Sequence, residues 1–91
     1  MGKISIFKAI NEKDFGVLLE ENKLKFYKTA KTILKNDDDV YDAIQEALMS
    51  IYQNYEKLEN KNYFSTWGIR IVINKCYDII RKNRNDGFSN R

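Results

Sequence analysis

From Val40 onward, apolar residues recur at intervals of three and four without a gap: Ala43, Ile44, Ala47, Leu48, Ile51, Tyr52 and Tyr55. That is the period of an α-helix with one side turned to a core, and a strand, with its period of two, would scatter these residues over both faces. The other side of the helix is polar near its start, at Tyr41, Asp42, Gln45 and Glu46. Just before it stands "KNDDD" (35–39). Three aspartates in a row suit a helix start. Their oxygens can cap free N–H groups, and their charge opposes the positive end of the helix dipole.

The same period recurs twice. Over 12–34 it is carried by Phe15, Leu18, Leu19, Phe26, Ala30, Ile33 and Leu34. Over 62–82, "NYFSTWGIRIVINKCYDIIRK", a run of aliphatics is interrupted by Asn74. Between the second and third patterns lies a polar connector, "EKLENKNY" (56–63). The chain has no proline, and glycine stands only at 2, 16, 68 and 87. The predicted fold is therefore all-α, a compact bundle of three main helices within 12–82. Residues 1–11 either add a short extra helix or stay loose, and 83–91 read as a tail or the start of a linker. Gly68 costs its helix about 1 kcal/mol against alanine. Close approach of a neighbouring helix is the packing reason expected to offset it.

Ninety-one residues make one small domain, which buries only about 60–65% of its unfolded surface. The longest unbroken aliphatic run, Ile71-Val72-Ile73, is far too short to span a bilayer, and no secretory segment is visible, so a cytoplasmic protein is expected. Histidine is absent and Cys76 is the single cysteine. No metal site, no cofactor, no small-molecule substrate and no enzyme are expected from such a set. Cys76 lies among apolar residues and reads as a buried small hydrophobe. Net charge is divided unevenly. Residues 1–46 hold eight basic and nine acidic side chains, whereas 47–91 hold eight basic and four acidic. Opposite signs in the two halves suggest two partners, one of them a polyanion.

Two surfaces stand out. Asp42, Gln45 and Glu46 share one side of the second helix by their three- and four-residue spacing. They read as a solvated face or as a docking face for arginines and hydrogen-bond donors. On the third helix, Arg70, Asn74, Tyr77 and Arg81 form one polar stripe, with Lys75, Asp78 and Lys82 beside it. It reads as solvated surface or as a track for a nucleic-acid strand, with Asp78 holding Arg81 or Lys82. Phe64 and Trp67 are at core spacing. Trp67 is expected to anchor the bundle, while Phe64 is left more open beside Asn60, Lys61, Asn62 and Tyr63. Rings, amides and a lysine on one loop are suited to holding an unstacked base.

The order of these pieces resembles a known family. "DAIQEALMSIY" (42–52) after an acidic turn, "YFSTW" (63–67) and "RIVINKCYDIIRK" (70–82) are together similar to region 2 of bacterial RNA polymerase sigma factors of the extracytoplasmic-function (ECF) subgroup. The similarity covers 26–82, well over half the chain. It implies transcription initiation. Core polymerase would be bound through a coiled coil of its β′ subunit, with Asp42, Gln45, Glu46 and Tyr52 at the matching positions. It also implies recognition and melting of the promoter −10 element on its non-template strand. Asn60, Lys61, Asn62, Phe64, Arg70, Asn74, Lys75 and Arg81 would contact the DNA. An anti-sigma factor is a further implied partner. The family usually has a large aliphatic where this chain has Gly68, and a small residue where it has Val72, as if one change compensated the other. Family members continue into a second helical domain that reads the −35 element, which this sequence does not include. The alternative is a solitary helical module that binds polymerase or an anti-sigma protein without reading a promoter.

Overall fold

The computed structural model describes the backbone of residues 2–89 and the side chains of residues 15–84. Three helices carry the fold: α1 (Gly2–Ile33), α2 (Asp37–Asn54) and α3 (Phe64–Ser89). Two short 3-10 turns, Tyr55–Lys57 and Lys61–Tyr63, make up most of the connector between α2 and α3. There is no strand among the described residues, and none of their helices is long and apolar enough to cross a membrane. Both ends differ from the sequence reading. Residues 2–11 continue α1 rather than forming a separate short helix, and the third helix runs on to Ser89 rather than fraying after Lys82.

The start of α2 also differs in detail. The cap is Asn36, whose Oδ1 accepts from the N–H of Asp38 at 2.7 Å and of Asp39 at 3.3 Å. Asp37, Asp38 and Asp39 fill the first turn instead. There they act through charge on the helix dipole, leaving the free amides to Asn36, which occupies the capping position before them. Asp37 also pairs with Lys31 Nζ at 2.5 Å, and Asp39 Oδ2 accepts from Asn83 Nδ2 at 3.1 Å. The start of α2 is thereby tied to the end of α1 and to α3. The hydrogen bond to Asp37, then the charges of Asp37 and Tyr27, hold the Lys31 ammonium above its ordinary pKa. All four side chains at this junction are exposed or partly so, and such pairs contribute little to stability.

The core lies where the three predicted apolar faces meet. Phe26 and Ala30 of α1, with Leu34 just beyond its end, pack on Val40, Ala43, Ala47 and Ile51 of α2 and on Phe64, Val72 and Cys76 of α3, with Tyr55 closing the side near the connector. Alanines at 30, 43 and 47 let the backbones come close. Gly68 does the same on α3: a Cβ there would meet the Phe26 ring, with Cε1 only 2.9 Å away. Val72, one turn later, is fully buried. Burial of Cys76 pushes its thiol pKa upward, as expected for a thiol kept neutral in an apolar setting. Among the described residues the one buried polar side chain, Asn22, donates Nδ2 to the Leu18 carbonyl at 2.8 Å. No buried side-chain nitrogen or oxygen among the described residues lacks a partner.

Candidate nucleic-acid and partner interface

The helical period that sends Ala43, Ala47 and Ile51 inward sends Asp42, Gln45 and Glu46 outward, and all three are exposed. Gln45 Nε2 donates to the Tyr41 hydroxyl at 2.6 Å, so the amide is oriented on the surface by its neighbour. The face is less polar than its first turns suggest. Met49 and Tyr52 extend it toward the connector at 63% and 71% exposure. Tyr52 touches the core only edge-on, with its ring centroid 5.9 Å from that of Phe15. Two carboxylates, an amide, a thioether and a ring therefore stand side by side. That combination suits a protein partner offering arginines and some apolar surface.

At the far end of α2 the chain makes two tight turns before entering α3. Asn60 caps the second, its Oδ1 accepting from Asn62 N–H at 2.9 Å. The turns bend the connector around an open groove of about 680 Å³. Ser50 and Asn54 of α2 form one wall, Trp67 and Ile71 of α3 the other, and Lys57, Leu58, Glu59, Asn60 and Tyr63 the rim. Asn60, Asn62 and Tyr63 are exposed. An open slot with an indole, a phenol and amides can stack a flat ring and hydrogen-bond its edge.

Two expectations are corrected here. Phe64 is 1% exposed, with four rings about it: Phe15 and Phe26 at 6.1 Å, Tyr55 and Trp67 at 5.9 Å. It is a core residue and has no face to offer a base. Trp67, the expected anchor, does pack against the core, but it is only half-buried and also lines the groove. Three-residue spacing places both rings on the same side of α3. The connector decides which is covered, because it brings Tyr55 over Phe64. Lys61 is the second correction. Its Nζ turns inward and donates to the carbonyls of Tyr55 (3.0 Å) and Leu58 (2.5 Å), so it is not an open phosphate contact.

The α3 stripe begins at the groove. Arg70 follows Trp67 by one turn, and Asn74 follows Ile71 by one turn, so groove wall and stripe are neighbours on the same helix surface. Arg70, Asn74, Arg81 and Lys82 are exposed, Tyr77 is 48% exposed, and Lys75 is half-buried. Asp78 accepts from Arg81 Nη2, which orients that guanidinium along the helix. Of the residues named for DNA contact, Asn60 lines the groove, Asn62 is exposed on the connector, Arg70 and Asn74 are exposed on the adjoining stripe with Lys75 and Arg81 further along, and Phe64 and Lys61 are turned inward. Trp67, Ser50 and Asn54 were missed. Their spacing signals a helix, and nothing in it tells of a groove that a connector will close. Among the described residues, no group of three or more acidic, cysteine or histidine side chains is placed to hold a metal.

Residues 18–85 match the model of sigma-70 region 2, and the chain belongs to that family. It is similar to the ECF RNA polymerase sigma factor SigW of Bacillus subtilis (strain 168), with 31% identity over 86 residues, which is 94% of this chain and 46% of that protein. It is also similar to the RNA polymerase sigma factor SigV of the same organism, with 27% identity over 66 residues, 72% of this chain and 40% of that one. Within the family it is thus a region 2 domain of the ECF type. The chain spans less than half the length of these curated relatives. No solved structure matches it.

Proposed function

We propose that this domain acts in transcription initiation, docking on core RNA polymerase through α2 and receiving the opened −10 strand of a promoter on the connector and α3. The observation that carries the reading is the continuity of the Trp67–Tyr63 groove with the Arg70–Asn74 stripe. A ring slot and a donor track on one surface are what a base turned out of its stack, and the backbone on either side of it, would need. Asn60 and Asn62 offer amides at the rim, Asn74 an amide on the track, and Arg70, Lys75 and Arg81 positive charge for phosphates. Taking a base out of the stack costs a few kcal/mol, and stacking on an aromatic side chain returns about 1–3 kcal/mol per base. No bond is made or broken. The α2 face, with Asp42, Gln45, Glu46 and Tyr52, would meet the β′ coiled coil, whose basic side chains these carboxylates complement.

Single-stranded oligonucleotides tiled across candidate −10 sequences, titrated at a stated low salt concentration, test the DNA half. Sequence preference that falls when Asn74→Ala is introduced is the expected result, and an absence of preference in both proteins removes the promoter role. Capture by a β′ coiled-coil fragment, weakened in the Gln45→Ala/Glu46→Ala double variant, tests the docking half. Capture that is unchanged by the double variant would sink that face.

A further inference from the structure

The connector carries two lysines: Lys57 lines the groove, whereas Lys61, next to the rim residue Asn60, spends its charge inside the loop. Its ammonium lies 3.0 Å from the Tyr55 carbonyl, 2.5 Å from the Leu58 carbonyl and 4.2 Å from the centroid of the Tyr55 ring. The Tyr55 carbonyl stands where α2 runs out, at the negative end of its dipole, and a cation is favoured there. The same Tyr55 carbonyl also accepts the Leu58 N–H at 3.0 Å, which closes the first turn. Lys61 itself opens the second turn, which Tyr63 N–H to Asn60 O closes at 3.0 Å. One side chain therefore clamps the second turn onto the first. The rim residues Leu58, Glu59 and Asn60 lie between the two ends of that clamp.

We infer that Lys61 is a positioning residue. It holds the groove rim in shape for a flat ring and makes no contact with the strand's phosphates. What the groove takes rests on the proposed DNA reading; the clamp itself does not. Removing the ammonium leaves Tyr55 and Phe64 in the core but frees the rim.

Lys61→Met, with Lys35→Met as a control that removes the same charge from an exposed position between α1 and α2, outside the groove, separates the two roles. Amide hydrogen exchange is read first, without DNA. In Lys61→Met the amides of Leu58 and Tyr63 should exchange at least about tenfold faster, while those of Ala47 and Val72 keep their wild-type rates and report an intact core. Lys35→Met should leave all four unchanged. Unchanged exchange at Leu58 and Tyr63 in Lys61→Met would overturn the inference. Oligonucleotide binding is read second. Lys61→Met should lose sequence preference while keeping the wild-type dependence of log K on log salt. A slope reduced by about one, with preference retained, would mark Lys61 as a phosphate contact and overturn it. If the wild-type protein binds no oligonucleotide, the DNA reading fails, and the exchange rates still decide the clamp.

Discussion

Tyr63 and Phe64 are consecutive and chemically alike, yet the first is 62% exposed and the second 1%. They stand on either side of the junction between connector and helix, and the two regions are held by different forces. The bundle around Phe64 is specified by shape. Small residues on facing helices and the missing Cβ of Gly68 leave a space that the rings of Phe26 and Phe64 fill. The connector around Tyr63 is specified by polar atoms, with Asn60 capping a turn and Lys61 bridging two carbonyls. Packing of the first kind yields one rigid answer, because a close-packed interior resists any change of volume. Hydrogen bonds of the second kind hold a rim open while leaving rings accessible. A domain that must both stand firm and present an apolar slot to solvent needs one region of each kind.

Truncating the two neighbours should break this comparison most sharply. Phe64→Ala should cost about 3–5 kcal/mol of stability in chemical denaturation, because it empties the centre of a ring cluster. Tyr63→Ala should stay within about 0.5 kcal/mol. Similar losses in the two variants would mean that the boundary between core and connector is misplaced. A smaller effect sharpens the contrast between capping and charge at the start of α2. Asn36→Ala should cost about 1 kcal/mol, and Asp37→Ala only a few tenths, since the latter loses an exposed ion pair and part of a dipole interaction. The reverse order in thermal melting would return the capping role to the aspartates.

The smallest effect concerns Cys76. Burial raises its pKa in the folded protein, so the folded state holds the thiol proton more tightly than the unfolded chain. Its contribution is complete below the unfolded value of 9.0 and is lost as pH rises through the higher folded value. Between about pH 8 and about pH 10, wild type should therefore lose more stability than Cys76→Ala loses over the same interval. Lys31, also raised, contributes in the same direction only above its ordinary value of 10.5, and it cancels in the comparison. Equal slopes in the two proteins would place the thiol nearer to solvent than its burial indicates.

Much of the bundle was readable from residue spacing. The faces through Phe26, Ala30 and Leu34, and through Val40, Ala43, Ala47 and Ile51, are buried as their periods require. Gly68 meets a neighbouring helix as its helix-breaking cost suggested. The outward turn of Asp42, Gln45 and Glu46 was legible for the same reason. The groove was not. Phe64 and Trp67 share a spacing, so period alone ranks them equally, and the choice depends on Tyr55 and Phe15 arriving from elsewhere in the chain. Nor could a lysine in a polar loop announce that its partners would be two carbonyls three and six residues back. Local pattern records which side of a helix is apolar, because 3.6 residues per turn is a property of the backbone itself. Which ring is covered and which cation is turned inward depends on contacts between segments that the pattern treats as independent. For this protein the residue order settled three helices and the faces they bury. The packing of connector against α2 and α3 settled where a ring slot opens and which side chains are left to grip.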